Sequence, residues 1–256
     1  MASEEARMSF WDHLEALRGS LLRMLAAALL AVVVAFALKD PLFRLVLAPA
    51  QPDFCTYRWL GLAPLSVHLV NTQLSEQFMV HARVALVSGV LLASPYLLRV
   101  LYRFISPALY ARERACSVRV VVAAYAMFFV GLVANYLLFF PLTLRFLATY
   151  SVSASVGNLL SLSSYVDTLL MMSLLFGLVF ELPVVSGLLA WFGLLRAAWM
   201  RHYRRHAIVA ILIAAAFITP TTDALTLLIV SLPVWALYEL SILIVRSVAP
   251  PPDDAP

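Results

Sequence analysis

The sequence RVVVAAYAMFFVGLVANYLLFFPLTLR, from Arg119 to Arg145, has no charged residue between its two terminal arginines. A helix needs about 20 apolar residues to cross the hydrocarbon core of a bilayer, and this run is long enough. The whole chain shares this character, because 63% of its 256 residues are hydrophobic and 12% are charged, whereas soluble domains are about 45–50% apolar. The runs are long and do not alternate over about ten residues, which favours helices over barrel strands. We therefore predict an all-α, polytopic membrane protein.

Apolar runs on both sides of this stretch predict six transmembrane helices in a single integral membrane domain, residues 1–256. The predicted spans are approximately 21–38, 79–101, 120–144, 168–195, 207–222 and 224–245. Phe10, Leu14 and Leu17 recur at helical spacing and predict an amphipathic helix that leads into the first span. The proline-rich segment 39–77 contains no second full span, and we expect it to form a structured external cap.

Lysine and arginine are distributed unequally between the two sides that this topology creates. The poorer side carries only Lys39, Arg44, Arg58, Arg83 and Arg145. Because cytoplasmic loops are enriched in these residues, both termini are predicted to be cytoplasmic. The basic residues border apolar runs, so the formal net charge of +4 reflects topology, and nucleic acid is not a predicted partner.

A polar loop, FISPALYARER, lies between the second and third predicted spans, from Phe104 to Arg114. It holds one carboxylate, Glu113, between two arginines, and an acid is unusual in a short cationic loop. Leu109 and Tyr110 add apolar surface beside it. Two interpretations stay open from these residues alone: a receptor for a cationic ligand, and a solvated turn with a local ion pair.

Glu181 is the single charge within the fourth predicted span. A carboxylate at the middle of a span costs about 2.5–3.5 kcal/mol on insertion scales and should face a partner or water. Pro183 removes a backbone donor, so we expect the helix to be bent and locally hydrated there. A functional site is favoured, and the alternative is a protonated carboxyl that is hydrogen-bonded inside the bundle.

Two further acids lie near span ends. Asp223 closes the tight turn TPTTD, Thr219 to Asp223, where capping of the following helix is favoured over function. Glu239 lies near the predicted cytoplasmic end of the last span. Two interpretations stay open for it: an ion pair with a neighbouring arginine, and a functional site.

Catalytic patterns are absent from the sequence. There is no His-Glu-x-x-His, no glycine-rich phosphate loop and no Gly-x-Ser-x-Gly. His202 and His206 are four residues apart, but they lie in the arginine-rich stretch RHYRRH, which the topology already explains. We predict no enzymatic activity, no cofactor and no metal site.

Four motifs occur in order along the chain: HLEALR (His13 to Arg18), SPALYARER (Ser106 to Arg114), FELP (Phe180 to Pro183) and TPTTD. With them the chain resembles the TatC family, the receptor subunits of the twin-arginine protein translocase, from about Phe10 to Arg246. The resemblance implies a multi-pass receptor of the cytoplasmic membrane that binds twin-arginine signal peptides of folded cargo and opens a route driven by the proton-motive force. It also implies partners: single-span TatA/TatB-type subunits, the lipid bilayer and further copies of the chain in a homo-oligomeric receptor complex.

The same resemblance implies two groups of site residues. The signal-peptide group is Glu113, Glu15, Arg18, Phe104, Leu109, Tyr110 and Arg114. The intramembrane polar and partner group is Glu181, Pro183, Thr219 and Asp223. Charge-assisted bidentate bonds between guanidinium groups and carboxylates would carry the recognition.

The sequence departs from the family pattern at two places. The family usually has an acid directly before the Leu-Arg of the first motif, where this chain has Ala16, with Glu15 one residue earlier. One residue is about 100° of helix rotation, which weakens the case for recognition by two carboxylates. After the TPTTD turn, Thr226 and Leu227 stand where the family often has Ser-Gln, which weakens the case for an outer polar patch.

Two other classes of function stay open on the residues alone. A proton-coupled secondary transporter would use Glu181 and would show paired broken helices in two related halves. A structural scaffold for other membrane proteins would depend on neither Glu113 nor Glu181.

Overall fold

The computed structural model describes residues 10–65, 67–105, 111–150, 159–218 and 224–248. These ranges are mainly helical, which confirms the all-α prediction. Extended structure within them is limited to two short strands, β1 (Leu69–Val70) and β2 (Leu160–Ser161), which pair in parallel with Leu69 opposite Leu160.

The helices of the described ranges follow one another with short connections. They are α1 (Phe10–Ala37), α2 (Lys39–Leu47), α3 (Cys55–Trp59), α4 (Glu76–Ile105), α5 (Ala111–Ala134), α6 (Phe140–Thr149), α7 (Leu162–Val179), α8 (Leu182–Trp191), α9 (Ala197–His202), α10 (Arg204–Ile218) and α11 (Ala224–Val248). A 3-10 turn (Ala48–Ala50) follows α2, and a π-helical turn (Asn135–Phe139) joins α5 to α6.

Five stretches of the described chain are helical, long and apolar enough to cross a membrane. They are Leu17–Ala37, Glu76–Phe104, Val118–Thr149, Leu162–Trp191 and Thr226–Val248. They coincide with five predicted spans and confirm a polytopic membrane protein. The described part of the remaining predicted span, 207–222, belongs to α10 (Arg204–Ile218), and residues 219–222 lie outside the described residues. The cytoplasmic placement of the termini stays a prediction.

The chain forms two compact units. The first consists of Met1–Leu45 and Ser75–Ser117, and the second of Val46–Leu74 and Val118–Pro256. Each unit has its own points of close helix contact, and each carries one of the two predicted groups of site residues.

In the first unit, α1 and α4 run antiparallel in close contact. A Cβ placed on Gly89 of α4 would lie 2.5 Å from the Cα of Val32 on α1, so a glycine is needed for this approach. Beyond that point the ring of Phe36 stacks on His81, with 4.0 Å between the ring centroids. The His81 Nε2 lies 3.1 Å from the carbonyl oxygen of Phe36.

In the second unit, α5 and α7 also meet through glycine. A Cβ on Gly131 would lie 2.6 Å from the carbonyl oxygen of Phe176, and one on Gly177 would lie 2.6 Å from the ring of Phe128. Beside this crossing, the buried Asn135 donates from Nδ2 to the Ser173 hydroxyl over 3.0 Å. Small residues and a polar contact therefore hold these spans together where lipid supplies no hydrophobic driving force.

The part of segment 39–77 that belongs to the second unit is fixed by buried hydroxyl groups. The Tyr165 hydroxyl donates to the Val46 carbonyl, and the Tyr57 hydroxyl to the Pro49 carbonyl, each over 2.8 Å. The Thr56 hydroxyl donates to the Leu137 carbonyl. Burial raises the pKa of Tyr57 to about 12, against an opposing effect of the Arg145 charge, so this phenol stays a neutral donor.

Candidate functional site

The described members of the signal-peptide group lie on the two long helices of the first unit. Glu15 and Arg18 are exposed near the start of α1. Phe104 is half-buried near the end of α4. An exposed carboxylate and guanidinium one turn apart on α1 are available to a ligand.

The antiparallel register brings these residues to one level. Val32 and Gly89 face each other across the pair, and Arg18 and Arg103 each lie about four helical turns from that point. At about 5.4 Å per turn both are displaced by about 21 Å in the same direction. The start of α1 and the end of α4 therefore share one end of the unit.

The remaining members of this group are only partly within the described chain. Glu113 and Arg114 belong to the first turn of α5, which begins at Ala111, and their side chains lie outside the described residues. Leu109 and Tyr110 lie outside them altogether. A carboxylate in a first helical turn is favoured by the helix dipole, and the part of Glu113 in signal-peptide binding stays a prediction.

Glu181 marks an interruption between α7 and α8, as the position of Pro183 predicted. Its backbone N–H donates to the Leu178 carbonyl over 3.1 Å, and its own carbonyl accepts from Val184 and Val185 over 3.0 and 2.9 Å. Pro183 has no N–H to continue the α-helical ladder, and it occupies the first turn of α8. Glu181 thus lies at the junction between α7 and α8, within the candidate span Leu162–Trp191.

The Glu181 carboxylate is half-buried. Among the described residues it accepts no hydrogen bond and forms no ion pair. Nearby, α8 packs on α11, where a Cβ on Gly187 would lie 3.0 Å from the Ile244 side chain. The other two members of the intramembrane group, Thr219 and Asp223, lie outside the described residues.

Glu239 forms an ion pair with Arg204, which confirms the interpretation that it pairs with a neighbouring arginine. The Arg204 guanidinium donates to its carboxylate over 2.5 Å, with side chains 47% and 28% exposed respectively. Tyr238 beside it donates from its hydroxyl to the Met200 carbonyl over 2.8 Å. Glu239 therefore already has a partner within the chain, in contrast to Glu181.

Sequence reasoning missed the buried polar groups of the second unit. Thr226, noted only as a departure from the family pattern, is fully buried in α11, and Thr143 in α6 is 1% exposed. Neither residue stands out in an apolar run, because only packing decides which side of a span faces protein. Asn135 is a polar residue within the apolar run Arg119 to Arg145, but nothing in the sequence indicates that Ser173 is its partner. No group of three or more His, Cys, Asp or Glu side chains in the described ranges could hold a metal ion.

Comparisons with known proteins agree on one family. A family model described as Sec-independent protein translocase protein (TatC) matches residues 12–233. The protein of that name from Deinococcus radiodurans is 32% identical over 256 residues, covering 99% of this chain and 92% of its own. The one from Listeria innocua is 32% identical over 240 residues, covering 94% and 92%. A crystal structure of a twin arginine translocase receptor, TatC, superposes with a TM-score of 0.71 at 27% identity, covering 92% of this chain and 99% of that one.

Proposed function

The chain belongs to the TatC family of Sec-independent protein translocase proteins, and we propose from this that it binds the twin-arginine signal peptides of folded cargo proteins. As a family member it is a multi-pass membrane component of a protein translocase, with a role in transport. The cytoplasmic membrane and cytoplasmic termini are part of the proposal.

The observation that carries the proposal is the register of α1 against α4. It supports a binding surface at one end of the first unit, where Glu15 and Arg18 are exposed and Phe104 is half-buried. In sequence, α5 follows α4, and Glu113 lies in the first turn of α5. An extended peptide lying across this surface would meet acids and apolar side chains together.

The chemistry of recognition follows from charge and geometry. A guanidinium offers parallel N–H donors to the two oxygens of a carboxylate, whereas an ammonium is a point charge without this fork. Glu113 is proposed to hold one signal-peptide arginine in this way, with Glu15 as the second acid in place of the family's acid at Ala16. Phe104, Leu109 and Tyr110 would shield these bonds from water, and Arg114 would orient Glu113.

A second part of the proposal concerns assembly. Glu181, with Pro183, Thr219 and Asp223, is proposed to receive single-span TatA/TatB-type subunits, and further copies of the chain would complete a receptor complex that uses the proton-motive force. The half-buried, unpaired Glu181 carboxylate supports this role, since a charge exposed to lipid is costly and a partner helix can supply a donor.

The decisive test of recognition is photo-crosslinking from position 110 to a signal peptide bearing Arg-Arg or Lys-Lys. Strong labelling of the Arg-Arg peptide alone is expected, and Glu113→Gln should remove that preference because an amide lacks the negative charge. Glu239→Gln is the matched control: it also removes one carboxylate, but from an existing ion pair, so the preference should persist. Equal labelling of both peptides by the unaltered chain would rule out the proposal.

A further inference from the structure

A second surface rich in arginine is formed by residues 196–206, which connect α8 to α10. We call this surface the basic patch. It comprises α9 and the first turn of α10. Its arginines are Arg196, Arg201, Arg204 and Arg205, and all of them are exposed. The proposed signal-peptide and partner sites use none of these residues.

The basic patch rests on a firm apolar base. Ala190, Ala197, Ile242 and Val245 form a buried cluster against which Leu195, Met200 and Tyr238 pack. This cluster joins the end of α8, the start of α9 and the last turns of α11. Arg196 and Arg201 therefore belong to a helix, α9, that packs on this cluster. Arg204 of α10 is joined to α11 by its ion pair with Glu239.

The positive charge of the basic patch is only partly neutralised. Arg204 pairs with Glu239, while no acid within the described residues pairs with Arg196, Arg201 or Arg205. Arg201 bonds through Nε to the Ala197 carbonyl at 3.4 Å, which leaves its terminal nitrogens available. At least three guanidinium groups can therefore donate hydrogen bonds to an anion.

Two features favour a position for the basic patch at the level of the lipid headgroups. It follows directly on the end of the span Leu162–Trp191. Its aromatic side chains are exposed, Trp199 at 56% and Tyr203 at 55%, and exposed Trp and Tyr are typical of the membrane interface. The Arg196 guanidinium lies 6.0 Å from the centre of the Trp199 ring, a cation–π arrangement that keeps charge beside the aromatic anchor.

We propose that the basic patch binds the phosphate groups of an anionic phospholipid, with a two-phosphate lipid such as diphosphatidylglycerol favoured over a one-phosphate lipid. Each guanidinium can form two parallel bonds to a phosphodiester. Because three arginines have no acid partner among the described residues, the basic patch carries enough charge for a headgroup with two phosphates, while Trp199 and Tyr203 would contact the glycerol and upper acyl region. Anionic lipid thereby becomes a bound component of this end of the second unit.

The test uses the full-length chain, solubilised in mild detergent with diphosphatidylglycerol or phosphatidylglycerol, and native mass spectrometry to count retained lipid. Retention of diphosphatidylglycerol should fall about fivefold for each arginine removed in Arg201→Gln/Arg205→Gln, equivalent to about 1 kcal/mol per basic residue near an anionic surface. The control Arg44→Gln/Arg58→Gln removes the same charge from two exposed arginines elsewhere and should retain lipid normally.

Three further arms complete the design. Arg201→Lys/Arg205→Lys should retain more lipid than the glutamine variant, because it keeps the charge, and less than the unaltered chain, because it loses the fork. The midpoint of thermal unfolding in phosphatidylcholine discs checks that all variants fold, and diphosphatidylglycerol should raise it only when the basic patch is intact. Equal retention by the two glutamine variants would overturn the proposal, as would inorganic phosphate raising the midpoint as much as lipid does.

Discussion

At the scale of single residues, the contact between Thr56 and Leu137 explains how segment 39–77 is fixed to the third span. In an α-helix the Leu137 carbonyl would accept from residue 141, but that residue is Pro141, which has no N–H. The chain adopts a π-helical turn there, and the buried Thr56 hydroxyl donates to this carbonyl. A proline in the span thus creates the acceptor that a distant threonine satisfies.

Replacing Thr56 by valine should therefore destabilise this junction. The valine keeps the shape but leaves the Leu137 carbonyl without its donor, at a cost of about 1–3 kcal/mol for a buried polar group. The midpoint of thermal unfolding should fall, and amide hydrogen exchange should accelerate in α3. Thr56→Ser keeps the hydroxyl and should stay close to the unaltered chain. If serine and valine variants exchange at the same rate, the hydroxyl contributes nothing.

At the scale of elements, the sequence predicted the spans well because their signal is composition. A run such as Arg119 to Arg145 admits few alternatives to a membrane helix. The interruption at Glu181 was also predictable, since Pro183 has a local and definite effect on the helix ladder. Helix pairing was not predictable, because lipid-facing and protein-facing sides of a span are equally apolar. The role of Gly89 depends on Val32, which is far away in sequence.

That glycine provides a test of the α1–α4 packing. In Gly89→Ala the added Cβ would meet the Val32 backbone at 2.5 Å, so the helices must separate, and overpacking of this kind costs about 1–3 kcal/mol. A lower midpoint of thermal unfolding and weaker labelling by the Arg-Arg peptide are expected, because the recognition surface depends on this register. Gly19→Ala is the control: its Cβ would meet only the Arg23 side chain at 3.8 Å, and alanine raises helix propensity. If Gly89→Ala and Gly19→Ala unfold at the same temperature, the close approach of α4 to α1 at Gly89 is not required.

At the scale of the whole molecule, the two predicted sites fall on different compact units. The signal-peptide group belongs to the first unit and the intramembrane group to the second. This division was not predictable, since α1 and α4 are separated in the chain by segment 39–77, most of which belongs to the second unit. Recognition and assembly should therefore be separable by mutation.

Glu181→Gln is the variant that tests this separation. The amide has nearly the shape of the carboxyl group but carries no charge at any pH, so the fold and the interruption before Pro183 should persist. Because the first unit is unaltered, labelling of the Arg-Arg peptide from position 110 should stay within about twofold of the unaltered chain, a difference of about 0.4 kcal/mol. Export of folded cargo and co-purification of single-span partners should fall at least tenfold, about 1.4 kcal/mol. Glu113→Gln should give the reverse pattern, losing Arg-Arg labelling while partners still co-purify. Loss of both readouts in both variants would mean that the two units act as one site, and normal export by Glu181→Gln would remove this carboxylate from the mechanism.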